Sequence, residues 1–308
     1  MIKFDPQNYP YPSKRNVVYA RNGMCNAGNP HAASAGLQTL LKGGNAVDAA
    51  IAMASAMPVV EPTGNGLGAD CFVIFWYEGK MYGLNASGPA PKSLSVAALK
   101  DRGFEKIPSY GVEPIDVPGA VAGWMTLHER FGKLPLEEVM APAIRYAEEG
   151  YPVTPNISRL WQEAFENYSK YRDRPEFQGW FDTFAPNNTW LKPGEMFRCP
   201  DMAKTLKEIA ATKGEAFYRG AIAEKIDAFF KKHNGFLTKE DLAAFKPEWV
   251  DPISVNYHGV DVWELPPNGH GITVLMALQI LKDMNLAERD CADTMHKQIE
   301  AMKLAMVD

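Results

Sequence analysis

Apolar positions along the chain follow two periods, one helical and one alternating, and the breaks between them are marked by glycine and proline. Ala35-Gly-Leu-Gln-Thr-Leu-Leu41 has helical spacing, with Asn29 or Ser34 as its start. Gly43-Gly44 stops it, because glycine takes the left-handed cap conformation without steric cost. Asn45 caps a second helix from Ala46 to Met57, closed by Pro58. Its alanines (Ala49, Ala50, Ala52, Ala54, Ala56) lie almost all round, so this helix is expected to pack closely on several sides. Met24–Ala27 is short and apolar enough for a strand. Cys71–Tyr77 and Met81–Leu84, turned at Glu78-Gly79-Lys80, read as a β-hairpin, as do Ile253–Tyr257 and Val260–Glu264 around His258-Gly259. Helices are predicted at 94–101, 118–131, 136–149 (ended by Gly150), 156–169, 200–213, 219–233, 238–245 and 271–284. A final helical run from Lys297 to Asp308 carries no C-terminal stop signal. Tyr171–Gly194, rich in Pro, Asn, Trp and Phe, reads as a long ordered loop, and residues 1–22 as an extended arm. Helices interleaved with few strands make the class α/β or α+β.

Composition narrows the function classes. Lys plus Arg number 32 against 37 Asp plus Glu, a net charge of −5, which disfavours a sequence-independent nucleic-acid binder. Hydrophobic residues at 46% fit a globular chain. No stretch approaches a membrane span, and the longest apolar candidate, Ala46–Val60, is interrupted by Asp48, Ser55 and Pro58. The start lacks the basic-then-apolar pattern of a signal peptide, so a cytoplasmic location is expected if Met1 is the true start. The four cysteines (Cys25, Cys71, Cys199, Cys291) are far apart and contain no CxxC, so free thiols are expected rather than disulfides or zinc ligands.

Local motifs supply no complete catalytic set. Gly64-Asn-Gly-Leu-Gly68 invites an anion-binding reading, but it follows a helix and precedes a strand, the reverse of the dinucleotide fingerprint. A tight loop beside a site is the better reading. The six histidines show no metal-ligand spacing, although His31 and His270 sit beside turns. The GxSxG elbow is absent. Cys71 follows Asp70 at a loop–strand junction with no local base, which favours a structural thiol. Asn85-Ala-Ser-Gly-Pro-Ala-Pro91 leaves a hairpin, cannot continue a central strand past its prolines, and is a candidate site loop.

A set of ordered segments carries a resemblance. Gly43-Gly-Asn-Ala-Val-Asp-Ala-Ala50, Val59-Val-Glu-Pro62, Gly66-Leu-Gly68, Val117-Pro-Gly119, Ala141-Pro-Ala-Ile-Arg-Tyr-Ala-Glu-Glu-Gly150, Gly214–Gly220, Gly235–Leu242, Pro266-Pro-Asn-Gly-His-Gly271 and Ile299-Glu-Ala-Met-Lys-Leu-Ala305 resemble, in order, the γ-glutamyltranspeptidase family of N-terminal-nucleophile hydrolases. The opening Tyr9–Val18 resembles its short, signal-less acylase and amidohydrolase branch. The resemblance implies a four-layer αββα sandwich in which residues 1–308 are the large-subunit portion of a single two-chain domain, completed by a small chain. It implies self-cleavage before a threonine, whose hydroxyl attacks an amide and whose α-amine serves as base, with no cofactor or metal. No threonine here stands in that context, so no catalytic residue is expected within this chain and the nucleophile is expected beyond Asp308.

The resemblance also places the substrate contacts. The family arginine that grips the donor carboxylate corresponds to Ser87, and Asn85, Ser87 and Gly88 are the candidate substrate-binding residues. A bidentate arginine–carboxylate contact is strong and directional, whereas serine offers one neutral hydrogen bond. The expected substrate is therefore an amide other than a γ-glutamyl compound, such as oxamate or an acylated β-lactam, unless Arg21 or Arg102 reaches the site. The alternatives are a glutathione hydrolase or γ-glutamyltransferase, and a catalytically silent binding protein. The expected partner is the small catalytic chain, with pairing of two such heterodimers as a further option, and neither nucleic acid nor membrane.

Overall fold

The computed structural model describes residues 17–286 and 288–307. In chain order its elements are α1 (Pro30–Leu41), α2 (Ala46–Val60), β1 (Cys71–Tyr77), β2 (Lys80–Ala86), α3 (Val96–Asp101), α4 (Ala120–Phe131), α5 (Leu136–Glu149), β3 (Tyr151–Pro152), α6 (Pro155–Tyr168) and α7 (Gln178–Phe184). There follow β4 (Met196–Phe197), α8 (Pro200–Thr212), α9 (Glu215–Tyr218), α10 (Ala221–Lys232), α11 (Lys239–Ala244), β5 (Glu248–Val250), β6 (Ile253–Tyr257), β7 (Val260–Glu264), α12 (Gly271–Leu281) and α13 (Ala292–Val307). The backbone groups into two compact units. Among the described residues, one comprises 17–21, Phe72–Asn85 and those from Glu248 onward, and the other Asn22–Cys71 and Ala86–Pro247. Most of the expected N-terminal arm, residues 1–16, lies outside the described residues.

The larger unit is helical and is built around α2. Ile51, Ala52, Ala56, Val59 and Val60 are all fully buried, as the alanine-rich pattern predicts. The motif Gly43–Ala50 explains itself physically. Gly43 adopts φ +91°, and Asn45 and Asp48 form a reciprocal capping box at the start of α2. Asp48, fully buried, also accepts from the backbone N–H groups of Lys133 and Leu134 at 3.0 and 3.2 Å, while Asn45 Nδ2 donates to Phe131 O at 2.7 Å. The α2 N-terminus is thereby tied to the segment that follows α4. At its other end, α2 runs through Pro58 to Val60 instead of closing before it. In this final turn proline removes a single backbone donor, and Glu61 N still bonds Met57 O at 2.8 Å.

Two further expectations in this unit change. Met24–Ala27 pairs with no strand and is irregular. Its Cys25 Sγ instead comes close to Gly36 of α1, where an added Cβ would meet it at 2.9 Å. The expected loop at Tyr171–Gly194 contains two 3-10 turns and α7. Buried Phe177, Phe181 and Ala185, with Phe165, Tyr168, Tyr171 and Trp180 packed on them, provide a local core that favours helix despite an aromatic composition without clear period.

The smaller unit holds a three-stranded sheet in the order β1-β2-β5 and the β6-β7 hairpin. Both hairpins turn where expected. Glu78 and Gly79 have φ +47° and +82°, and His258 and Gly259 have φ +50° and +86°, the paired left-handed values of a type I′ turn. β5 joins β2 antiparallel with Asn85 opposite Glu248, a pairing across more than 160 residues of chain that no local pattern signals. Strand β1 ends the sheet, and its alternating Phe72, Ile74 and Trp76 stand exposed at 41%, 40% and 64%. On α13, Met295, Ile299, Met302 and Met306 recur at helical spacing and are also exposed, while Ala301 and Ala305 are buried. Among the described residues no helix is long and apolar enough to cross a membrane.

Candidate active site

The candidate site loop begins where β2 stops. Asn85 is the last residue of β2 paired with β5, and its Nδ2 donates to Asn268 Oδ1 at 2.8 Å. This bond anchors the Pro266–Gly271 loop, which connects β7 to α12 within the smaller unit. Gly271 opens α12 against Glu264, leaving no room for a Cβ, which would meet that carboxylate at 2.7 Å. His270, the residue before α12, is exposed.

Ser87 and Gly88 belong to the larger unit, and there the chain makes a crossing with Val117–Gly119. A Cβ on Gly88, at φ +76°, would overlap Val117 O at 1.8 Å, and one on Gly119 would overlap Ala86 O at 1.8 Å. Both positions therefore require glycine, for space and in Gly88 also for conformation. Backbone bonds close the crossing: Val117 N donates to Pro89 O at 3.0 Å, and Gly119 N and Ala120 N donate to Ala69 O at 3.0 and 2.9 Å. The end of the glycine loop 64–70 is thus fastened to the N-terminus of α4, consistent with a structural loop beside a site.

Tyr218 completes the frame. Its buried hydroxyl donates to Pro118 O at 2.7 Å and accepts from Ala122 N at 3.0 Å, so one side chain of α9 bridges the turn into α4. Burial pushes its phenol well above the ordinary range. No sequence signal singled out Tyr218, since its partners lie about a hundred residues away. Cys71 lies under Gly123, whose Cβ position is 3.1 Å from Cys71 Sγ. Burial, reinforced by Asp70, pushes its thiol up to about 11, which suits the structural reading.

Other candidates resolve as structural. His31 sits edge-on to Tyr146 and Tyr151, each ring 5.6 Å away, with Nε2 3.3 Å from Pro152 O. Arg102 stacks over Phe236 at 3.8 Å and donates to Asn234 O, so its guanidinium is committed at α3. Among the described residues no three His, Cys, Asp or Glu side chains converge as a metal site.

A family description, Gamma-glutamyltranspeptidase, matches residues 32–308. The chain belongs to the γ-glutamyltranspeptidase family. The cephalosporin acylase from Bacillus halodurans is 54% identical and superposes with a TM-score of 0.94, over all of this chain and 57% of that one. The glutathione hydrolase-like YwrD proenzyme of Bacillus subtilis is 33% identical, over 91% of this chain and 53% of its own length. The oxamate amidohydrolase proenzyme of Klebsiella pneumoniae is 32% identical, over 92% of this chain and 54% of its own. This member of the family therefore spans about half the length of the curated relatives it matches. The α/β class and the likeness to solved family structures bear out the expected fold class.

Proposed function

We propose that this chain is the large-subunit half of an autoprocessed amide hydrolase, in which a companion chain supplies an N-terminal threonine. The reading rests on family membership and on relatives that are named proenzymes, hydrolases and acylases. In the reaction the threonine hydroxyl would attack the amide carbonyl while its α-amine accepts the proton. The amine would then protonate the departing nitrogen, and water would release the acyl group. Backbone donors opposite the carbonyl would hold the oxyanion. The companion chain would cover the exposed apolar side chains of β1 and α13.

The substrate reading is carried by Ser87, which the family resemblance sets at the place of the carboxylate-gripping arginine, in a loop whose Gly88 packs against Val117 O. Arg102, the nearest arginine in sequence, is held by Phe236 and Asn234 O. We infer that Asn85, Ser87 and Gly88 bind a substrate without a γ-glutamyl head, of the oxamate or acylated β-lactam kind. Glutathione hydrolysis stands as the second reading, since YwrD is named glutathione hydrolase-like. Steady-state rates on oxamate, an acylated cephalosporin and glutathione separate the two. Turnover of either of the first two with glutathione poorly saturable supports the proposal. Saturable glutathione turnover with a micromolar KM contradicts it.

A further inference from the structure

The larger unit holds a concavity none of whose walls comes from the Ser87–Gly119 crossing. It is a cleft of about 390 Å³ between the segment before Val117, the end of α6 with its following turns, and α10. Its size is within the usual range for small-molecule sites. Its surfaces are rings: Tyr110, Tyr168, Phe177, Phe229 and Phe230. Tyr110 meets Tyr168 edge-on at 5.7 Å, Tyr168 lies 5.8 Å from Phe177, and Phe177 is itself buried in the local aromatic core. The floor is thus preformed. At its rim Tyr110, Ile115 and Phe229 are exposed at 37%, 37% and 41%. Exposed apolar side chains scattered singly mean little, but here three converge on one opening.

The charges around these rings are unequal. Arg174 directs both Nε and Nη2 to one oxygen of Glu176, Oε1, and its guanidinium lies 5.2 Å over the Phe177 ring. Glu176 lines the cleft, and against the opposing effect of burial a backbone hydrogen bond followed by the Arg174 pairing holds it below the ordinary carboxylate range. A second carboxylate stands behind Gly111, another wall residue. A Cβ there would meet Glu113 Oε2 at 2.7 Å and Arg174 Nη2 at 2.8 Å. Glu113 Oε2 is buried and has no hydrogen-bond partner. Arg174 is thus spent on Glu176, and the Glu113 carboxylate behind the Gly111 wall is left without a partner of its own beside five aromatic rings.

We propose that this cleft binds a small organic amine, an aromatic or branched apolar body bearing a protonated nitrogen. The rings accept the body and offer their negative faces to the cation, and the surplus carboxylate supplies the counter-charge. An anionic ligand of the same shape would meet Glu176 and Glu113 unfavourably. The site does not depend on the amide-hydrolase reading.

The test uses the protein as purified, with any companion chain that accompanies it, at one fixed pH for all ligands. Dissociation constants of 2-phenylethylamine, 2-phenylethanol and 3-phenylpropionate are measured by calorimetry or ligand-observed NMR. The amine is expected to bind about tenfold more tightly than the alcohol, and the propionate more weakly than either. Glu113→Gln should bring the amine close to the alcohol without changing the alcohol. Phe229→Ala, at an exposed position, should weaken both. Equal affinities for all three, no binding of the amine, or an amine affinity unchanged by Glu113→Gln would overturn the proposal.

Discussion

At the scale of single residues, the positions with least freedom are Gly88 and Gly119. Each packs its Cα directly on a carbonyl of the other strand of the crossing, so even one methyl group must displace backbone. Gly119→Ala is expected to cost more than about 4 kcal/mol, a size reached only where backbone must move, against about 1 kcal/mol for an average substitution. Urea denaturation of the purified protein would read this directly, with a loss under about 1 kcal/mol contradicting the crossing. The four thiols differ as sharply. Burial raises Cys25, Cys71 and Cys199, whereas the Thr294 hydroxyl and backbone donors at the start of α13 lower Cys291. A lowered pKa means a larger thiolate fraction at a given pH, and thiolate is the reactive form. Iodoacetamide at pH 7.5 should therefore label Cys291 first, with a pH–rate midpoint below that of a free thiol, and leave Cys71 unlabelled until the chain unfolds. Peptide mass mapping of a pH series checks both statements.

At the scale of elements, the chain is most legible where one local chemistry decides the outcome. Asn45 with Asp48, and Glu78-Gly79 with His258-Gly259, announce a helix start and two hairpins, and all three form as expected. Legibility fails where the deciding partner is distant. β5 exists through its register with β2, and α7 through a cluster assembled from three segments, so neither has a signature of its own. Met24–Ala27 shows the reverse error, an apolar run that finds side-chain contacts but no ladder. Resemblance singled out Asn85–Gly88 as a candidate substrate loop, but its lock on Val117–Gly119 and the Tyr218 bridge are products of the fold. The start of α2 provides an element-scale test. Asp48 receives N–H groups from its own cap and from the segment after α4, so Asp48→Asn turns an amide toward donors. A loss of about 2–4 kcal/mol is expected, as for a buried charged acceptor removed from several donors. An unchanged thermal midpoint would show that this tie contributes little.

At the scale of the whole molecule, family motifs divide into those that hold the scaffold and those that address a substrate. Gly43–Ala50 belongs to the first group, since every polar group in it is spent on caps and ties. The Asn85–Gly88 loop belongs to the second in the reading proposed here, with the arginine position occupied by serine. The exposed rows on β1 and α13 give the molecule an apolar surface that a companion chain would bury. The most direct measurement is the intact mass and N-terminal sequence of every polypeptide in the active protein purified from its complete gene. Two chains are expected, one containing residues 17–307 and a smaller one that begins with threonine. A catalytically active preparation consisting of a single uncleaved polypeptide, or a second chain with a different N-terminal residue, would contradict it.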